Sequence, residues 1–532
     1  MSVDDLPAAT DVPGIKGSPG RTVPSTANTG PPRPQTSVLS ESEKARSPIA
    51  QLFGRDSIYL MVWAIQLLCA ALFTPILTRV LGASEFGTVT SANAIMQILF
   101  VFAGLGLQVA VQREHAGNKN LPEARRLVGF ALTAAVLVSV VAWSTVDLWS
   151  RPLGMADETS SLRLAVVWAG SGAVTNISLG LLRSQDRLLA FCTVGLLQSV
   201  VAEALSLLLV QVAQSSAETF LWGQVGAQLA ATVLGLCLAP PAMFTARDRA
   251  LLRRALLLAL PLIPSGLSTF ILATSDRLVV GAFLGSEAVA RYQVAYNVAA
   301  MPMLLLSVLS SAWMPTFFGL ADGPGRRIVL RESRDALYRL MIPVVIGFAS
   351  GAPIILRVWA PASYRPDELQ FVVSLVLVTI IPFAAQLAVT RTLMTEGRTG
   401  AIGFAAFLAA VVNVLLNLVL VPSLGLVGSA IATLVAYLFL YAVLAFAGRD
   451  ASPGSTPRGL QLQLFAVAAI ALLAAAVPNT GIVLVLRVLV GLAAVAWFVW
   501  AFLKISRKAA TEPPPEPGPA PRRASSTTGQ TA

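Results

Sequence analysis

Residues 80–94 read VLGASEFGTVTSANA and residues 283–297 read FLGSEAVARYQVAYN. Aligned at an offset of 203, they bring Leu81, Gly82 and Ala92 opposite Leu284, Gly285 and Ala295. Each stretch ends one long apolar run and opens the next, so each reads as a corner between two membrane-crossing helices. Six crossings separate the two starts, and an even number makes the repeats parallel, related by an axis along the membrane normal. Transporters built this way place their substrate site between the halves.

The composition agrees with a bilayer as solvent. The chain of 532 residues is 55% hydrophobic and 12% charged, with a mean hydropathy of +0.73, whereas about a quarter of the residues of a soluble domain are charged. The net charge of +11 comes from arginines clustered between apolar runs, without the aromatic interleaving or reading motif of a nucleic-acid partner. Cys69, Cys192 and Cys237 lie in apolar runs without CxxC spacing, and His115 is the sole histidine. This pattern suggests neither a disulfide framework nor a zinc site and leaves little scope for histidine-based catalysis.

Residues 1–50 and 509–532 are rich in Pro, Gly, Ser and Thr and are expected to be disordered tails. A cleavable signal peptide is not expected, because no short basic segment followed by an apolar core and an A-x-A site is read at residues 1–50, and the first span is expected to direct insertion. A hydrocarbon core about 30 Å thick takes about 20 apolar residues per helix. Cut at charged or Pro/Gly punctuation, the sequence gives spans near 57–80, 89–112, 126–147, 162–182, 188–212, 218–243, 255–283, 290–318, 336–358, 369–393, 400–421, 424–447, 460–478 and 481–503. Arginines alternate between the intervening loops: Arg125, Arg126, Arg183, Arg187, Arg247, Arg249, Arg253, Arg254, Arg331, Arg334, Arg391 and Arg398 fall on one side. Since basic residues stay inside, both termini are expected in the cytoplasm. The expected architecture is an all-α polytopic membrane protein of about fourteen helices. An N-lobe over residues 51–250 and a C-lobe over 251–450 surround a central cavity, with two extra helices in 451–508.

The short outer connections, WSRPLGMADETS and RVWAPASYRPDEL, hold no catalytic domain, and GxxxxGK[ST] is absent. A transporter driven by gradients or by its substrate is expected, not an enzyme.

Three segments carry a resemblance: residues 73–95 (FTPILTRVLGASEFGTVTSANAI) with 104–114 (GLGLQVAVQRE), residues 260–318, and residues 411–440 (VVNVLLNLVLVPSLGLVGSAIATLVAYLFL). They resemble the polysaccharide-flippase branch of the multidrug/oligosaccharidyl-lipid/polysaccharide exporter superfamily, the group that includes O-antigen flippases. The resemblance implies translocation of a glycan on polyprenyl pyrophosphate across a bacterial cytoplasmic membrane. Its implied partners are that lipid-linked glycan, membrane lipids, and a glycan polymerase or other polysaccharide-assembly proteins. No cofactor is expected, and a coupling ion, H+ or Na+, is left open. Export of a small drug or cation is the alternative within transport; a glycan polymerase or ligase is the alternative from another class.

Such a substrate calls for a wet cavity with cations for phosphate, where the planar guanidinium fork is the better ligand. Within ILATSDRLVVGAFLG (271–285), Asp276 and Arg277 sit in a run where a charge costs about 2.5–3.5 kcal/mol; with Arg79 they are the cavity candidates. Neighbours on a helix point about 100° apart, so each is expected to need a partner of its own. The competing reading puts the pair at the outer interface, as snorkelling anchors. Pro261, Pro264 and Gly266 allow a bent or broken helix there. Substitution of Arg277 by Ala is expected to impair transport while leaving the protein stable. Glu203 is a candidate coupling-proton site, or a helix contact to a Gln or Ser. Asn413 and Asn417 lie one turn apart and suit helix association or sugar binding.

Overall fold

The computed structural model describes residues 73–318, 324–451 and 454–511. Cys69, the expected first span up to residue 72 and nearly all of both tails lie outside the described residues. The described chain is helical, with no strand.

In order, the helices are α1 (73–80), α2 (Ala83–Gly104), α3 (Leu107–Gln112), α4 (Leu121–Ser144), α5 (Thr159–Ser184), α6 (Leu188–Val212) and α7 (Ala217–Leu238). Next come α8 (Arg249–Ala259), α9 (Leu262–Leu284), α10 (Ser286–Phe318), α11 (Pro324–Trp359), α12 (Gln370–Val378), α13 (Ile380–Thr395), α14 (Thr399–Ala447), α15 (Arg458–Ala476) and α16 (Gly481–Thr511). Among the described residues, eleven helices are long and apolar enough to cross a membrane. They make this a multi-pass membrane protein.

Local chemistry sets many boundaries. Asn120 caps α4 by accepting from the Glu123 N–H at 3.1 Å, with Pro122 in the first turn, and Ser216 caps α7 through the Thr219 N–H. The 49 residues of α14 would extend about 74 Å if straight, far beyond one hydrocarbon core. Gly425, at φ 59° and ψ −139°, breaks this helix three residues after Pro422. The expected 255–283 span is broken at Leu260–Pro261, which separates α8 from α9, whereas Pro264 and Gly266 lie inside α9. Helix α11 begins twelve residues before the expected 336, so Arg331 and Arg334 are helical rather than loop residues. Helix α16 runs to Thr511, three residues into the stretch expected as a tail.

The offset of 203 recurs in the helices. Helices α2 and α10 start at Ala83 and Ser286, and α4 and α11 start at Leu121 and Pro324. The two corners also meet each other. The Ser84 and Ser286 hydroxyls are 2.9 Å apart, and a Cβ on Gly87 would fall 1.8 Å from the Ser286 carbonyl oxygen. Around this contact lies the largest buried core, which joins Leu77, Leu81, Phe86, Val89, Leu207, Val210, Ala217 and Phe220 to Ala290, Tyr292, Tyr364 and much of α11 to α13. Every N-half member of that core comes from the corner end of its helix. The Thr78 hydroxyl donates to the Trp359 carbonyl at 2.8 Å, and Phe86 meets Tyr364 edge-on. Separate cores hold α3 to α5, α7 and α8 together and α9 to α13 and α14.

Candidate functional site

Helices α9 and α10 bring together a buried polar cluster around the charged pair. Asp276 and Arg277 are 1% and 4% exposed. The YQVAYN stretch of α10 stacks Tyr292 over Tyr296 and Gln293 over Asn297, since positions four apart share a face. The Tyr292 hydroxyl donates to Asp276 Oδ2 at 2.8 Å. Arg277 Nε donates to Gln293 Oε1 at 2.9 Å, and Gln293 Nε2 donates onward to Asn297 Oδ1 at 2.6 Å. The guanidinium lies 4.0 Å from the centre of the Tyr296 ring and 5.6 Å from that of Tyr292, a cation–π arrangement that gains strength where water is excluded.

The expectation that adjacent residues could not pair is corrected. Arg277 Nη1 reaches Asp276 Oδ1 at 2.5 Å and also donates to the Ala273 carbonyl. The long side chain folds back along its own helix, while the carboxylate accepts from the Arg277 backbone N–H at 3.0 Å. Each partner also has a ligand of its own on α10. With both groups enclosed, loss of one strands the other, so the expectation that Arg277→Ala leaves stability untouched is also revised.

The remaining candidates lie elsewhere. Asn413 and Asn417, both fully buried, join α14 to α9: Asn413 Oδ1 accepts from the Ser275 hydroxyl at 3.2 Å and from Asn417 Nδ2 at 3.2 Å. Glu203 follows a π-helical turn, Leu197–Val201, and faces Gln224 of α7. Arg79 is exposed and donates to the Pro75 and Val358 carbonyls, each at 2.6 Å. It therefore ties α1 to the end of α11 and does not join the Arg277 cluster. At the repeat offset its counterpart is Ala282, and that of Arg277 is Thr74.

Sequence reasoning missed two buried cations. Arg391, assigned to a loop for its charge, is 2% exposed on α13 and donates through Nε to the Ser310 hydroxyl of α10 at 3.1 Å. The signal was its position two residues inside the expected end of the 369–393 span. Arg334 is likewise buried, with Nη1 on the Gly454 carbonyl and Nη2 on Asp335. Among the described residues no group of three His, Cys, Asp or Glu could hold a metal.

The described residues thus form a helical membrane bundle with a repeated corner and a buried polar cluster. Residues 53–321 match the family model described as polysaccharide biosynthesis protein, and the chain belongs to that family. It is 30% identical over 166 residues to the probable flippase AglR of Haloferax volcanii, a match covering 30% of this chain and 34% of that relative. The aligned stretch thus spans only about a third of the relative's length. The lipid II flippase MurJ in an inward closed conformation has a similar fold, with a TM-score of 0.62 at 12% identity over 85% of this chain and 99% of that one. An inward-facing multidrug resistance MATE family transporter of the MOP superfamily has a TM-score of 0.55 at 16% identity over 76% and 96%. The fold is that of MOP-superfamily transporters.

Proposed function

We propose that this chain is a flippase that moves a lipid-linked oligosaccharide, carried on polyprenyl pyrophosphate, across a bacterial cytoplasmic membrane for surface polysaccharide assembly. Residues 51–250 and 251–450 act as two lobes in alternating access, and the chain makes and breaks no glycosidic bond. One observation carries the reading: the core shared by the two halves draws its N-half residues from the end where the repeat-related corners meet. On the arginine alternation that end faces outward, so this conformation is closed to the outside and suited to receive substrate from the cytoplasmic leaflet. Arg277 and Asp276 form the charged floor of the substrate region, and Gln293, Tyr296 and Asn297, half-buried on α10, offer amides and a hydroxyl to sugars.

The test uses Ser84→Cys with Ser286→Cys in a background without native cysteines. The hydroxyls replaced are close enough for a disulfide. Oxidation should arrest transport and a reductant should restore it; undiminished transport by fully bridged protein would refute alternating access at this end. Deletion in the host should leave a polyprenyl-pyrophosphate glycan on the cytoplasmic leaflet. Altered drug resistance without that intermediate would instead identify a small-molecule exporter.

A further inference from the structure

Helix α8 lies between α7 and α9 and, at eleven residues, is too short to cross a bilayer. Its buried side carries Leu251, Ala255 and Ala259, one helical turn apart, packed with Leu107, Ala110 and Val111 of α3. The approach is close because Gly106, at φ +66°, has no Cβ; one there would sit 2.8 Å from the Ala259 carbonyl oxygen. The free side changes character along the axis. Arg249, Arg253 and Arg254 are exposed in the first turns, and Leu257 and Leu260 are exposed toward the end that leads into α9.

Charge at this surface is left over. Arg126 takes Asp248 at 2.9 Å, and Arg254 reaches Glu123 at 3.4 Å. Arg249 and Arg253 pair with no carboxylate among the described residues. A helix joined at both ends to spans, with arginines at one level and leucines at the next, follows the step from phosphate to acyl chain in a lipid leaflet.

We propose that the free side of α8 is a binding surface for anionic phospholipids. Arg249 and Arg253 hold the headgroup phosphates while Leu257 and Leu260 lie among the upper acyl carbons. The occupant is lipid rather than a soluble anion, because the leucines beside the arginines require an apolar medium. Bound lipid there grips the molecule where its two halves are joined, since α8 is clamped to α3 and continues through Pro261 into α9.

The experiment compares the full-length protein in bilayers of phosphatidylcholine with and without phosphatidylglycerol, reading the thermal midpoint and the phosphatidylglycerol retained on purification. Phosphatidylglycerol should raise the midpoint of the wild type and of Arg327→Gln/Arg331→Gln, a charge-matched control on exposed residues. In Arg249→Gln/Arg253→Gln the rise should vanish, and retained anionic lipid should fall about fivefold per arginine removed. Arg249→Lys/Arg253→Lys should keep the rise, which separates lost charge from damaged folding. A rise that survives the glutamine pair, an equal loss in the control, or a rise reproduced by inorganic phosphate in phosphatidylcholine would each overturn the proposal.

Discussion

Arg277 and Asp276 neutralise each other in a place where neither could stand alone. Replacing Arg277 by Ala leaves a buried carboxylate uncompensated and should destabilise the protein by about 3–5 kcal/mol, read from melting of detergent-solubilised protein. The double substitution Asp276→Asn/Arg277→Gln removes both charges and should cost less than Arg277→Ala; a larger loss would show that the pair is not a compensating unit. Asn297→Ala tests the transport role separately, because Asn297 is half-buried and bonds to Gln293 rather than to the charged pair, so its loss should lower transport with little change in melting. Outside the membrane, Asp248 accepts from the Thr245 N–H and hydroxyl and pairs with Arg126, which holds its carboxyl below the usual carboxylate range. Such a group binds protons less readily folded than unfolded, so its stabilisation is complete above about pH 4 and is lost as the pH falls through the depressed value. Wild type should therefore melt above Asp248→Asn near neutrality, and the gap should close on acidification below about pH 4. The charged pair was legible in sequence because charge is rare in an apolar run. Its ligands Tyr292, Gln293 and Tyr296 were not, because they become a cluster only when α10 folds back on α9. Arg391 was misread because a basic residue near a span end counts equally as loop and as buried group until packing decides.

At the level of the helix, the corners and breaks carry the information. The apolar runs separated by Pro, Gly and charge placed α5, α6 and α7 within five residues of their observed limits, because a bilayer forces the backbone to satisfy itself within each crossing. The expected 89–112 span is instead divided between α2, which starts six residues earlier, and α3. The starts of α8 and α11 were less legible, since amphipathic turns extend a helix beyond the lipid without adding to its hydropathy. Gly87 is the sharpest point of contact between the corners. A valine there would push against the Ser286 backbone, so Gly87→Val should prevent the corners from closing. A cysteine at Ser84 should then react faster with an impermeant thiol reagent, and an unchanged labelling rate would show that the contact is not needed for closure.

At the scale of the whole molecule, the helices that carry the two corners are linked by residues 239–261, by the corner core, and along α2 and α9, where Phe100 meets Phe270 edge-on. The all-helical, multi-pass nature was legible from composition and periodicity alone; how the corners would touch was not, since a shared offset says that two segments are alike and nothing about whether they meet. Expressed as two fragments cut within residues 240–245, the halves should reassemble and transport, because α8 carries its own seat on α3; failure of well-inserted fragments to associate would mean that the covalent join is required. The meeting of the two corners also bears on descent. Contact between two copies of one motif about a common axis is what a half-length chain makes when it pairs with itself, as in an isologous dimer. Once two such copies are fused in one gene they accumulate changes separately, but Ala83–Gly87 and Ser286–Ala290 still press on each other. A substitution in one is therefore filtered by the other, and this corner is where a duplicated ancestry should stay readable longest.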